Sequence, residues 1–562
     1  MYLRTTRRTN KDGSVVTYLQ LAVNVWDPVK QQSTAKVVYG LGRAEDVDKE
    51  GIRRLVSSLM RYGLGEAPAA VGTTDVTPLG SRALGGVHVA RALWSELGVD
   101  EVLRSLPGRR GRRAPHETAL FAMVAHRLLA PGSKRSCHLR WLRDTTYLPE
   151  AAGLRLEHLY RAMDFLYEHA EAVERKVFER AAALLQADVD LVFFDSTSCY
   201  FEVDEEDEGK WPHEGELLVR PRKRGHNKEG RDGNPQVVVA LAVTRDGVPV
   251  RSWVFPGNTV DVTTVGRIKR DLVAWKLTRV LLVGDAGMDS EENRKVLAAG
   301  LGRYVLAVPV GRSKEVQEQV LSRAGRYRKV ADNLDAKEVV VGEGEARRRY
   351  VLCRNKDEAA RQLRRRERVL VQLVEELSSL GRARRGKAHS RRVCELLASK
   401  RYGRYLTQRA DGSVDVDPAK VKKAGRLDGR FVVTTNDDTI SAEDVAAAYK
   451  AAVLIESCFR RLKTTGLRMR PVYHWTPHRI EAHVKLCVLA LHLQRAAEIR
   501  AGDTWRNISH VLERVQAVEL RIGARTIVRP TELTPEAAAL LASLGVARPK
   551  GVLDVRDAPS VA

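Results

Sequence analysis

Between residues 189 and 308 the chain alternates short, almost wholly apolar segments with helix-like ones, and no other feature narrows its fold so far. DLVFFDS, PQVVVALAVT and VPVRSWVFPG come first, each reading as a strand buried on both faces. A helical stretch from about Thr259 to Trp275 follows, then the strand RVLLVGD, the helix SEENRKVLAAG and the strand RYVLAVP. The order βββαβαβ predicts a mixed sheet with helices on its faces rather than a doubly wound sheet. Two of these runs end on an acid, Asp195 in LVFFDS and Asp285 in RVLLVGD. A carboxylate after four or more buried residues costs solvation unless it lies at a strand end facing a cleft, a metal or a partner.

That strand order is the one in ribonuclease H-like folds, so the fold class is α/β (mixed α+β) with a ribonuclease H-like core. The alternation stops near 310 and resumes near 430 with RFVVTTN and a long helix, which places the core at 188–310 and 430–500 around an insertion at 311–429. The insertion holds β-like pieces, EVVVGEG and RRRYVLCRN, and then a charged helical stretch. Between 361 and 410 it carries 15 Lys or Arg against 4 Asp or Glu, a surplus of +11 that favours a phosphate-binding face over a merely solvated helix. Residues 1–45, with the turn KDGS and the runs VVTYLQLAVNVW and KVVYGLG, predict a small antiparallel β unit. Residues 46–187 have three- and four-residue apolar spacing and predict a helical, DNA-end-binding domain, and 501–562 a C-terminal helical region and tail. Within the helical block, PGRRGRRAP sets Arg109, Arg110, Arg112 and Arg113 on a punctuated loop that suits phosphate contact or plain solvation.

Composition supports the same direction. At 562 residues, 44% hydrophobic and 30% charged, the chain is too long for one module and too apolar for bulk disorder. A net charge of +24 points to a polyanion, with nucleic acid the leading partner. The 6 cysteines are scattered, which suggests neither a zinc site nor a disulfide framework and fits a cytoplasmic protein. No apolar run approaches a bilayer span, so no membrane partner is expected. The acidic run Glu202–Glu208 reads as a solvated hairpin, and Trp211, Trp253 and Trp475 are most simply explained by burial.

A third acid stands on the helix SAEDVAAAYKAAVLIESCFRRLKTTG, where Ser441 is the N-cap and Asp444 the capping-box acid. Seven residues are almost two helical turns, so Tyr449, Glu456 and Lys463 share a stripe, with Arg460 one turn beyond the acid. If the first and fourth strands are neighbours, Asp195 and Asp285 reach one sheet edge, and Glu456 can complete an oxygen-donor set for a hard divalent ion. Phosphodiester cleavage calls for such a set, because two metal ions about 4 Å apart serve both the attacking and the departing oxygen.

FFDSTSCYFE, LLVGDAGMDSEEN and YKAAVLIESCFRRLKTTGLRMRPVYHWTPHRIEAHV resemble the three catalytic blocks of bacterial insertion-sequence DDE transposases. The resemblance is to the IS-four-like superfamily, in the group with a Tyr-Arg-Glu-Lys signature and a β-rich insertion before the last acid. RGHNKEGRDGNPQVVVALAV and FPGNTVDVTTV resemble that group's second and third strands and following turn, so the likeness covers roughly 190–310 and 430–495. It implies that Asp195, Asp285 and Glu456 are both the catalytic and the metal-binding residues, holding two Mg²⁺ ions per site with Mn²⁺ able to substitute. Tyr449 and Lys463 match the signature at the right spacing, whereas Ala452 stands at its Arg position, and Arg460 is the candidate replacement. In the family these positions grip transposon-end phosphate. The implied function is a transposase that binds terminal inverted repeats, cleaves them and joins 3′-hydroxyl ends to target DNA. The implied partners are double-stranded transposon-end and target DNA, with a homodimer in the DNA complex, at the nucleoid. The rivals are a stand-alone metal-dependent nuclease or resolvase, and a transposase-derived DNA-binding protein.

Overall fold

The computed structural model describes residues 2–10, 15–27, 32–48, 51–52, 56, 76–107, 115–187, 189–227, 230, 233–277, 280–311, 313–344, 347–382 and 387–557, which fall into two units. The first holds β1 (Tyr2–Thr9), β2 (Val15–Asp27) and β3 (Gln32–Arg43), an antiparallel sheet with β2 in the middle. β2 and β3 are the two runs expected from sequence; β1 is an addition, since YLRTTRRT is too polar and basic to read as a strand. The KDGS turn lies outside the described residues.

In the second unit, α1 (Gly85–Glu96), α2 (Val99–Ser105), α3 (His116–Leu129), α4 (Leu156–Glu168) and α5 (Ala170–Leu184) precede the sheet. Among the described residues, nine strands form one mixed sheet. In chain order its elements are β4 (Leu191–Tyr200), β5 (Gln236–Thr244), β6 (Pro249–Pro256), α6 (Asp261–Ala274), β7 (Leu281–Gly284), α7 (Glu291–Ala298) and β8 (Arg303–Val308). β9 (Arg328–Ala331), β10 (Leu334–Val341), β11 (Arg348–Asn355) and the later β12 (Arg430–Thr435) complete it. The spatial order is β9-β10-β11-β12-β8-β7-β4-β5-β6. β4, β7 and β8 are mutually parallel, and β5 alone is reversed among these five, pairing antiparallel with both β4 and β6, which gives the 3-2-1-4-5 order of a ribonuclease H-like core.

Strand alternation sends odd and even residues to opposite faces, each covered by helices. Phe193, Val237, Val239, Leu281 and Val283 pack with α12 (Val453–Arg460) and α13 (Pro477–Ala501), whereas Phe194, Val238, Ala240 and Leu282 pack with Val265, Ile268 and Leu272 of α6. α13 is buried nearly all round, which is why VKLCVLALHL shows no polar stripe.

The inserted β-like pieces are β10 and β11. They extend the core sheet, because β11 pairs with β12 along six residues. The charged stretch forms α8 (Lys356–Arg382), α9 (Lys387–Ala398) and α10 (Pro418–Gly425) around a small core of Val369, Leu373, Val393, Leu396, Tyr405 and Leu406. The long helix after RFVVTTN is divided: α11 (Ala442–Ala451) ends at Ala452, α12 follows, and a π-helical turn, Arg461–Thr465, succeeds it. Ser441 caps α11 as expected, its Oγ accepting from the Asp444 N–H at 3.0 Å. Among the described residues no helix is long and apolar enough to cross a membrane.

Candidate active site

The register of β7 on β4 pairs Leu282 with Val192 and Val283 with Phe193. Two residues further on the same register, Asp285 comes level with Asp195, both on the face that packs against α12. Asp285 follows the end of β7 as expected, but Asp195 does not close its strand, because β4 keeps pairing with β5 on to Tyr200. Gly284 makes this approach feasible: a Cβ there would lie 2.9 Å from Leu306 and 3.0 Å from Phe194. Beyond it the chain turns through a 3-10 segment, Ala286–Met288, with Asp285 in the N-cap position.

α12 buries Ile455, Cys458 and Phe459, which leaves Glu456 and Arg460, one turn apart, on the exposed side. A cavity of about 560 Å³ opens there. Asp195, Asp285 and Glu456 line it together with Arg460 and Lys463, the last carried by the π turn. Tyr449 lies behind this wall, its ring 5.3 Å from that of Phe431. Its phenol is pushed up by burial and then by the charges of Asp285, Glu456 and Asp195, so all three carboxylates act on one point. The break at Ala452 means that Tyr449 and Glu456 belong to separate helices rather than to one continuous stripe. Arg109, Arg110, Arg112 and Arg113 lie outside the described residues.

The cavity also contains groups that sequence reasoning passed over. Asp261, the first residue of α6, reads in FPGNTVDVTTV as an ordinary acid at a helix start. Its Oδ1 accepts from the Ser196 hydroxyl, next in chain to Asp195, and its Oδ2 would be 3.2 Å from a Cβ at Gly287, two residues past Asp285. Asp261 therefore touches the segments that carry both Asp195 and Asp285. His226, from RGHNKEG, lines the same cavity. The Asn227 amide beside it donates to Gln236 Oε1 at 2.9 Å, and the Gln236 amide donates to the Gly257 carbonyl at 2.9 Å, pinning the loop to β5.

Two surface expectations change. The acidic run is not wholly solvated, because Asp207 is buried and pairs with Arg222 at 2.5 Å. Trp253 is buried and donates to Asp271 at 2.7 Å, but Trp475 is 58% exposed, with the Arg222 guanidinium 4.1 Å from its ring centre. Burial does not explain Trp475.

Four carboxylates around one cavity form the oxygen-donor chemistry that hard divalent ions take, so the donor set fits such an ion. Among the described residues no three His, Cys, Asp or Glu side chains are drawn into a finished ligand cage.

Residues 190–493, more than half of the chain, match the family described as "Transposase DDE domain". The chain belongs to the DDE transposases. These are metal-dependent enzymes that cleave and transfer DNA, and DNA is accordingly the partner of this one. Residues 3–68 of the transposase match the "IS1634 family transposase, N-terminal domain". Among solved structures it is similar to a piggyBac transposase synaptic complex with hairpin DNA, at 9% identity and a TM-score of 0.32, covering 76% of this chain and 78% of that one. No curated protein sequence matches it.

Proposed function

We propose that this transposase binds the terminal inverted repeats of its own element, cleaves the ends and joins the freed 3′-hydroxyls to target DNA. Asp195, Asp285 and Glu456 are read as the residues that hold two divalent ions, Mg²⁺ with Mn²⁺ as substitute. The observation that carries the reading is that these acids, 90 and 171 positions apart in the chain, line one cavity together with two bases, Arg460 and Lys463. Bound there, two such ions would supply charge stabilisation for the attacking and departing oxygens of a phosphodiester.

The chain's own groups do the rest. The Ser196 backbone N–H donates to Asp195 Oδ1 at 2.6 Å and the Ser196 hydroxyl donates to Asp261, which fixes the Asp195 carboxylate within β4. Arg460 and Lys463, on the turns after Glu456, line the same cavity and hold the scissile strand by its phosphates, with Arg460 taking the part of the guanidinium missing at Ala452. Tyr449 stays protonated, because burial and three nearby acids oppose its ionisation, and it packs behind the acids without joining them. The N-terminal β unit and helical block, with Arg109, Arg110, Arg112 and Arg113, read the ends, and two protomers bring two ends together.

The test uses a donor DNA with paired ends, a target plasmid and Mg²⁺. Wild type is expected to give end cleavage and strand-transfer products. Asp195→Asn is expected to bind ends as tightly and give neither. Cleavage without transfer from the wild type would favour the nuclease reading, and cleavage surviving in Asp195→Asn would remove the site assignment.

A further inference from the structure

The helical part of the insertion encloses a second cavity, of about 830 Å³, between α8, the segment after α9 and the end of α10. Its walls are cationic. Arg365 and Arg368 project from α8, and Lys400, Arg401 and Arg404 come from the turn that leads into the short β hairpin at Leu406. All five are exposed, and among the described residues none has an acidic partner. Arg401 donates to Gln372, and the Arg404 guanidinium lies 4.7 Å from the ring centre of buried Tyr405, so both heads are held in place.

The contrast with neighbouring cations is what marks the site. Arg361 pairs with Glu358 at 2.7 Å, Arg391 with Glu395 at 3.2 Å, and Arg392 with Glu376 at 2.8 Å. The single acid lining the cavity, Asp428, is already neutralised by Arg366 at 2.6 Å. Five cations around one cavity repel one another, and a polyanion is the ligand that relieves this. Val369, Tyr405, Ala424 and Leu427 also line the cavity, so it is the unpaired positive charge of its wall that points to a polyanion. From Gln362 to Gln372 the lining of α8 extends 10 residues, about 15 Å at 1.5 Å each, the rise of roughly four base pairs.

We propose that this cavity is a sequence-independent docking site for the phosphodiester backbone of duplex DNA, separate from the cleavage cavity and engaging at least three phosphates through Arg365, Arg368 and Arg404. The proposal rests on the chain acting on DNA, yet it stands or falls apart from the cleavage assignment.

The experiment measures affinity of the full-length protein for random-sequence duplex DNA by fluorescence anisotropy across a salt series. Each lost phosphate contact flattens the log K against log [salt] slope by about 0.9, so Arg365→Ala/Arg368→Ala/Arg404→Ala should flatten it by about 2.7. Affinity near 0.1 M salt should fall on the order of 10²-fold. The triple Lys variant should restore most of the slope, which separates charge from any packing role of the guanidiniums. Arg391→Ala/Arg392→Ala, already paired residues, should leave the slope unchanged, and Asp195→Asn should keep the full slope whether or not it cleaves. Repeating the series on element-end duplexes with and without flanking DNA tells which DNA fills the site: a loss confined to flanked duplexes assigns it to flank, a loss on both to the end itself. An unchanged slope in a triple Ala variant that melts like wild type would overturn the proposal. So would competition by inorganic triphosphate that abolishes the whole difference between triple Ala and wild type, since the ligand would then be a small polyanion.

Discussion

Acid should unfold this protein well before its carboxylates titrate, because three histidines are buried as neutral rings in the helical core. His126 on α3 and His483 and His492 on α13 are each 3% exposed. Burial holds His126 and His492 down to about 3, and pushes His483 well below the ordinary histidine value, with Lys134 and Arg127 adding to the effect on His126 and His483. In the unfolded chain the same rings titrate near 6.5. Below that pH the unfolded state binds protons that the folded state refuses, so stability is complete above about pH 6.5 and falls as pH drops. At pH 5, 1.5 units below the reference, each ring costs about 2 kcal/mol and the three together about 6 kcal/mol. Total stabilities of about 5–15 kcal/mol leave little margin for such a loss. Urea midpoints followed by fluorescence of buried Trp94, in the same core, should therefore fall steeply between pH 6.5 and 5. His492→Phe should shallow the slope by about 1.4 kcal/mol per pH unit, one proton's worth, since its Nδ1 has no hydrogen-bond partner to lose. Stability that stays flat over this range, or an unchanged slope in His492→Phe, would refute the reasoning.

Lys134 gives the complementary alkaline test. It is buried against His483, Nζ to Nδ1 2.9 Å, and burial lowers it from 10.5 to about 7. Charging it in the folded state is therefore unfavourable below pH 7, a penalty that fades as pH rises toward 10.5, so the melting temperature of Lys134→Met relative to wild type should be highest near pH 6 and decline by pH 10. Gly284→Ala forces a methyl to within 3.0 Å of Phe194, and should cost about 1–3 kcal/mol in urea unfolding while disturbing Asp285. Asp261→Asn should leave end binding intact and lower cleavage about 10–100-fold, the scale of losing a group that orients a metal ligand, measured as single-turnover rates with Mg²⁺.

The sheet is readable from residues alone where strands are apolar on both faces: β4 to β8 follow from burial and alternation, and so does Asp285 at the end of β7, whereas β4 runs past Asp195 through the polar residues Ser196, Thr197 and Ser198, which hide its true end. What pairs with what is less local. β10 and β11 are visible as runs, yet their place beside β12 is set by docking of the edge of the sheet, which no pattern within EVVVGEG or RRRYVLCRN encodes. The division of the long helix at Ala452 is equally silent, because Ala is the best helix former and nothing in AYKAAVL signals a stop. Asp261 was masked by its position, since acids in the first turn of a helix are ordinary, and only the fold brings it over Ser196 and Gly287. Arg460 and Lys463 lie where helical spacing from Glu456 puts them, whereas Tyr449 departs from that stripe because the helix does not continue.

The most direct measurement is Mn²⁺ binding to the full-length protein with end DNA, followed by electron paramagnetic resonance, in wild type and in Asp195→Asn, Asp285→Asn and Glu456→Gln. Two ions are expected per wild-type site, with each single variant losing at least one of them and all cleavage while its DNA affinity is kept. A variant of any of the three acids that binds Mn²⁺ and cuts DNA like the wild type would contradict the assignment.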